Sequence, residues 1–273
     1  MVIDGRRISK KVFTRLAREP VPRRELAAVL VGNDPSSRSF IERKARAAQA
    51  LGIRFKTYSF PRRASEARLV RAVRALSRRN DVGGIIVQLP LPPGVTNRVI
   101  EAVNPEKDVD CLTSARIGSW YAGRTRIAPP SVGALEEVLR EFSLPRSARA
   151  GVVGSGTLIG KPVSLWLALQ KRFAEIGLFR SGARDLRKKL KTYDLIIAGA
   201  DESHIFRAQD MKRGATVIDF GFADRNGMLM GNLVPPRAGG AGHINYTPTP
   251  GGTGPILVAK LFENFYGLSA SAR

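Results

Sequence analysis

Cysteine is nearly absent. Cys111 is the only one among 273 residues, so no disulfide can form within the chain, and a reducing setting is expected. Histidine is scarce too: His204 and His243 stand far apart in sequence. No group of His, Cys, Asp and Glu has metal-ligand spacing, so no metal centre is expected. No apolar run approaches the roughly 20 residues that a membrane helix needs. The start, MVIDGRRIS, has no long apolar core and carries an acid at once, which is unlike a signal or transit peptide. A cytoplasmic protein without membrane contact is the expectation. Acidic residues are few, 23 against 45 basic ones, for a net charge of +22. Such a field attracts anions, from nucleotides and polyglutamate tails to nucleic acid, without choosing among them. The densest basic stretch, residues 61–80, lacks the interleaved aromatics of a nucleic-acid footprint. Its Leu69, Val70, Val73 and Leu76 form a helical stripe, with Arg71, Arg74 and Arg78 on other faces.

What is present is a hydrophobic fraction of 43%, enough for one large core or two smaller ones. Apolar, β-branched runs occur at 25–32, 83–89, 150–154, 176–179, 194–200 and 215–222. Helical patterns lie between them at 39–52, 66–79, 132–142 and 160–174, and another closes the chain at 254–268. Strands spaced by helices argue βαβ units and parallel sheets. The polar stretch 143–150 leads into a fresh strand, which places the start of a second domain shortly before it. In the last helix Ile256, Val258, Leu261, Phe262 and Phe265 are the packing candidates.

Three places carry candidate chemistry. On the helix SFIERKARAAQALGI, the residues Phe40, Ile41, Ala45, Ala47, Ala48 and Leu51 share an apolar face, and Lys44 falls near its centre. A lysine there either snorkels its amine to water or sits in a cleft with a lowered pKa and moves protons. Further on, AGVVGSGTLIGKP reads as strand, glycine turn and helix, with Gly154, Gly156 and Gly160 spaced to admit a pyrophosphate or simply to make a tight turn. The next strand runs into Arg180, Ser181 and Gly182 with no acid before Asp185. An arginine and a hydroxyl at that point suit a 2′-phosphate, so NADP rather than NAD is the expected cofactor; the alternative is an ordinary surface arginine.

VQLPLPPG at 87–94, KDVD at 107–110, VVGSGTLIGKP and TPTPGGTGP at 247–255 occur in one chain in that order. Together they resemble the bifunctional methylenetetrahydrofolate dehydrogenase/cyclohydrolase family over nearly the whole length. The resemblance implies a two-domain α/β fold: an N-terminal α/β folate-binding domain and a Rossmann-type NADP-binding domain with a parallel sheet, and a cleft between them. Residues 1–127 and 247–273 would form the catalytic domain, to which the last helix returns, and residues 128–246 the NADP domain. The implied reaction is oxidation of 5,10-methylenetetrahydrofolate with NADP, then hydrolysis of the methenyl product to 10-formyltetrahydrofolate. A homodimer formed through the cofactor domain is implied as well.

The same resemblance gives roles to matching positions. Lys44 matches the catalytic lysine, Gln88 the glutamine that hydrogen-bonds it, and Asp110 the carboxylate that grips the pterin. Phe40, Leu89, Pro90, Pro250, Gly251, Gly252 and Pro255 would line the folate. Gly154, Ser155, Gly156, Thr157, Gly160, Lys161, Arg180, Ser181 and Thr253 would hold the cofactor. Several positions depart from the family pattern. Phe40 stands in place of a tyrosine, Cys111 and Leu112 in place of glycine and an aromatic, and Ser155–Gly156 in place of Arg–Ser. Pro130 and Ser131 fall in a variant P-x-T-P segment, and Asn232 stands at an acidic position. These departures leave open a relative that kept the fold but lost catalysis and binds nucleic acid or another anion. Asp219, ending a strand, reads as structural first and a site residue second, and His243 as a satisfied structural histidine.

Overall fold

The computed structural model describes residues 1–145, 147–225, 228–236 and 243–270. In chain order the elements are α1 (Gly5–Leu16), β1 (Glu25–Val31), α2 (Pro35–Ala50), β2 (Phe55–Phe60), α3 (Glu66–Arg78), β3 (Val82–Val87), α4 (Ser114–Tyr121) and α5 (Pro130–Leu139). Then follow β4 (Arg149–Val153), α6 (Gly160–Leu169), β5 (Glu175–Phe179), α7 (Leu186–Leu190), β6 (Leu195–Ala198), β7 (Thr216–Asp219), β8 (Ala223–Arg225), β9 (Met228–Met230), β10 (Asn245–Tyr246) and α8 (Thr253–Ala270). They divide into two compact units: Lys11–Pro130 with Val258–Arg273, and Met1–Lys10 with Ser131–Leu257.

The first unit holds a parallel sheet in the order β2-β1-β3. β3, VGGIIV, is buried at every position, as expected of a parallel strand covered on both faces. Its glycines make room for α8: a side chain at Gly84 would lie 2.6 Å from Phe265. Phe262 and Phe265 are fully buried beside Leu26, Ile86 and Val109. Truncating either ring would cost about 3–5 kcal/mol. α2 begins earlier than its apolar period suggests, because Asp34 caps it by accepting from Ser37 N at 2.8 Å and Pro35 opens its first turn. β2, FKTYSF, escapes the sequence reading because it is an edge strand with alternating exposure and only a short apolar signal. Arg71, Arg74 and Arg78 are exposed on α3, while Leu69, Val73 and Leu76 are buried, so this basic run is a solvated helix face.

The second unit carries a parallel sheet in the order β10-β7-β6-β4-β5. The start of the chain belongs to it. Val2 bridges Tyr246, Ile3 N donates to Tyr246 O at 2.8 Å, and Ile3 and Ile8 are buried in its core. This differs from the boundaries expected from sequence, which put residues 1–127 and 247–273 together. The strand pairing of Val2 draws residues 1–10 to the other body, and the chain passes between units inside α8, at 257/258. Residues 271–273 lie outside the described residues. α6 ends at Leu169 rather than near 174, where Gln170 turns to extended backbone. No helix among the described residues is long and apolar enough to cross a membrane.

Candidate active site

Lys44 sits on α2 in the first unit, and its Nζ donates to Gln88 Oε1 at 3.0 Å. Gln88 is buried just past β3, with its backbone N–H on Val29 O and its Nε2 on Leu89 O at 2.7 Å. The amide is therefore fixed with its carbonyl toward the amine. Lys44 is half-buried, and the protein packed around its amine pushes the pKa below the usual lysine range. The charge of Asp110 acts the other way, without a direct ion pair among the described residues. Burial pushes the Asp110 carboxyl up, with Lys44 opposing. The structure thus brings Lys44, Gln88 and Asp110 together. Phe40 lies one turn before Lys44, half-buried, with the Arg43 guanidinium 5.5 Å from its ring centroid. Leu89 is half-buried beside Gln88, and Pro90, after a cis peptide bond, is exposed.

The 108–113 turn explains how Asp110 is aimed. Asp108 Oδ2 accepts from Leu112 N at 2.8 Å and from Thr113 N at 2.7 Å, which closes the loop around Asp110. Cys111 takes a left-handed conformation with φ of 55°, a backbone that favours glycine. Its thiol is buried, and burial pushes its pKa up to about 12, so it is an inert packing group rather than a nucleophile.

In the second unit the three loop glycines do different work. Gly154 has φ of 105°, and a Cβ there would stand 2.6 Å from Gly199 O. A Cβ at Gly160 would collide with the Gly154 carbonyl, so this glycine lets helix and turn pack. Gly156 faces open space, where a ligand can approach the backbone. Ser155, Thr157 and Lys161 are exposed around it. α6 starts with no side-chain cap; Lys161 N donates to Gly156 O and Pro162 has no N–H, so the Gly160 N–H is the one its first turn leaves for an anion. Ser131, buried at the start of α5 behind Pro130, donates to Leu158 O at 2.7 Å and pins the loop from behind. Beyond β5 lies a pocket of about 600 Å³ lined by Phe179, Arg180, Ser181, Gly182 and Lys189 among others. Two cations at its mouth fit a phosphate, and the loop fits a dinucleotide.

The 247–255 loop belongs to this second unit, whereas Lys44 belongs to the first. Gly251, with φ of 100°, accepts from Gly5 N, Gly252 is buried against Pro248, Pro250 is exposed, and Pro255 is half-buried in α8. The Thr253 hydroxyl is engaged in the fold, donating to Asp219 O at 2.8 Å. Asp219 is a hub. Its carboxylate accepts from Gly221 N and Leu233 N, and its N–H donates to Thr247 Oγ1 at 2.7 Å. Burial pushes its pKa up to about 6. His243 Nε2 meets Ala208 O at 2.9 Å, a structural contact. Sequence reasoning marks Ser131 and Thr247 as parts of motifs without giving them these partners, and it misses Glu202, whose carboxylate accepts from Ser181 Oγ at 2.8 Å. No local motif marks Glu202, because it acts on a residue distant in sequence.

Comparisons with known proteins place the chain in a family. Residues 3–110 match the family described as "Tetrahydrofolate dehydrogenase/cyclohydrolase, catalytic domain", and residues 131–272 match its "NAD(P)-binding domain". A "Bifunctional protein FolD" of Methanoculleus marisnigri is 35% identical over 97% of this chain and 95% of its own length. Another, of Tropheryma whipplei, is 33% identical over 98% and 95%. The crystal structure of the Trypanosoma brucei methylenetetrahydrofolate dehydrogenase-cyclohydrolase, complexed with NADP cofactor and inhibitor, superposes with a TM-score of 0.90 at 28% identity, covering 100% of this chain and 98% of that one. With both family domains matched in order along it, this chain belongs to the tetrahydrofolate dehydrogenase/cyclohydrolase family.

Proposed function

We propose that this protein oxidises 5,10-methylenetetrahydrofolate with NADP and hydrolyses the resulting methenyltetrahydrofolate to 10-formyltetrahydrofolate, in one-carbon metabolism in the cytoplasm. The observation that carries the reading is the Lys44–Gln88 hydrogen bond, with the amine's pKa lowered by burial and Asp110 close by. NADP supplies a hydride acceptor. The chain's own residues do the rest. Asp110 accepts hydrogen bonds from the pterin, Phe40 stacks on the aminobenzoate, and the backbone at Gly156 with the Gly160 N–H at the start of α6 holds the diphosphate. Hydride transfer needs alignment rather than an acid or base. Hydrolysis does need one: neutral Lys44 Nζ takes a proton from the attacking water and returns it to the ring nitrogen as its bond to the one-carbon unit breaks, while the remaining hydroxyl proton leaves to solvent as the formyl C=O forms.

An assay following NADPH and methenyltetrahydrofolate at two wavelengths tests this. Appearance of both, then decay of the methenyl signal, is expected; folded protein that forms no NADPH removes the proposal. Arg180 faces the cofactor's 2′-phosphate in this reading, and Arg180→Ala should weaken NADP at least about tenfold more than NAD. Equal losses would overturn the assignment. A nucleic-acid role rests on net charge alone, and no feature of the site favours it.

The family's dimer is proposed here through β5. It is an edge strand whose Ile176 and Leu178 are 36% and 54% exposed, an unprotected surface for pairing with a second copy. Ile176→Asp should convert dimer to monomer in sedimentation velocity, and an unchanged dimer would place the interface elsewhere.

A further inference from the structure

No acid follows β5 in sequence before Asp185, yet the fold delivers one to Ser181 from elsewhere. Ser181 Oγ donates to Glu202 Oε1 at 2.8 Å. Glu202 comes from the loop after β6, and that loop is held by Asn232. Asn232 Nδ2 donates to Ala200 O at 3.0 Å and to Glu202 O, while its Oδ1 accepts from Ala200 N at 3.1 Å. Glu202 is exposed and does not itself line the pocket of Arg180, Ser181 and Lys189; its carboxylate lies beside that pocket through its hydrogen bond with the lining Ser181. Among the described residues it makes no ion pair that would neutralise it.

The hydroxyl of a serine has a single proton. With that proton given to Glu202, Ser181 offers the pocket only lone pairs. A 2′-phosphate also offers only acceptor oxygens, whereas a ribose 2′-hydroxyl can donate. The pocket thus contains two opposed preferences. Arg180 and Lys189 favour phosphate, and the Ser181–Glu202 pair favours a hydroxyl and adds a negative charge nearby. We propose that Glu202 is a cofactor-specificity residue, which holds down the preference for a 2′-phosphorylated dinucleotide and keeps the 2′-hydroxyl form usable. The proposal rests on the reading of this pocket as the 2′ subsite.

The test uses binding as well as turnover. Calorimetry measures 2′,5′-ADP and 5′-AMP on the wild type, Glu202→Gln, Glu202→Ala and Arg180→Ala, alongside kcat/KM for NADP and NAD. Removing one charge beside a doubly charged phosphate, screened by water, is expected to tighten 2′,5′-ADP about tenfold. Binding of 5′-AMP should stay level or weaken, and the NADP/NAD ratio of kcat/KM should rise in step. A merely structural lesion would weaken both nucleotides, and that result counts against the proposal. So does unchanged 2′,5′-ADP binding in both Glu202 variants. If Arg180→Ala weakens 2′,5′-ADP while the Glu202 variants change nothing, only this inference falls. If Arg180→Ala changes nothing either, the 2′ subsite itself is elsewhere.

Discussion

Lys44→Met should cut methenyltetrahydrofolate hydrolysis by about 10²–10⁴-fold, the usual worth of a positioned acid–base group. Methionine keeps an unbranched stem for packing on α2 and removes the amine. Hydride transfer should fall by less than about tenfold, because it needs no proton carrier. The split between the two activities is the informative result. Equal losses in a two-wavelength assay would mean that Lys44 only binds or packs. A companion pH experiment separates binding from proton transfer. Burial lowers the pKa of Lys44, so the neutral base becomes available at a lower pH than for a free lysine, and hydrolysis should climb as pH approaches that value. Gln88→Glu would set a carboxylate where Gln88 Oε1 now lies, 3.0 Å from the amine. An opposite charge that close raises a lysine pKa by about one to three units, which moves the rising limb to higher pH. An unmoved limb would assign the titration to another group.

Much of this site is legible in the sequence, because its chemistry is local. Lys44 on a helical apolar face, Gln88 at a strand end and the glycines at 154, 156 and 160 announce themselves by period and spacing. The buried strands read just as clearly, since β1, β3, β6 and β7 are short apolar runs buried nearly throughout. What cannot be read is long-range pairing. The amphipathic β2 and the two-residue β10 have too little apolar signal, and Val2 joins Tyr246 across almost the whole chain. The domain boundaries shift for that reason. The acid near Ser181 is hidden in the same way: the sequence has none between β5 and Asp185, and the fold supplies Glu202 from another strand's loop. Cys111 is the opposite case. As a replacement for glycine it looks like a loss, yet the structure keeps the left-handed backbone and places the thiol in the core.

Asn232 shows how a departure from the family's acidic pattern becomes a structural requirement. It is fully buried, and its amide both donates and accepts: Nδ2 to Ala200 O and Glu202 O, Oδ1 from Ala200 N. The acceptor end is fixed by the Ala200 N–H, so the two carbonyls must face the NH₂ group. Asn232→Asp would keep the shape but turn an anion toward two carbonyl oxygens, in a place without a balancing cation among the described residues. The expected cost is about 3–5 kcal/mol, from lost donors and an uncompensated buried charge. That corresponds to a fall of about 10 °C in the unfolding midpoint. The sign with pH follows from the new carboxyl's raised pKa in the folded state. Below its unfolded value both states are protonated, and the acid can donate once, so most of the damage is absent. As pH rises past that value the unfolded chain ionises first, and stability falls until the folded pKa is passed. The deficit relative to wild type should therefore be much smaller at pH 5 than at pH 8. Asn232→Ala carries no charge, so its deficit should not vary with pH in this way. If both variants lose the same stability at both pH values, the Asn232 clamp works by filling space, and its hydrogen bonds do not hold the Glu202 loop in place.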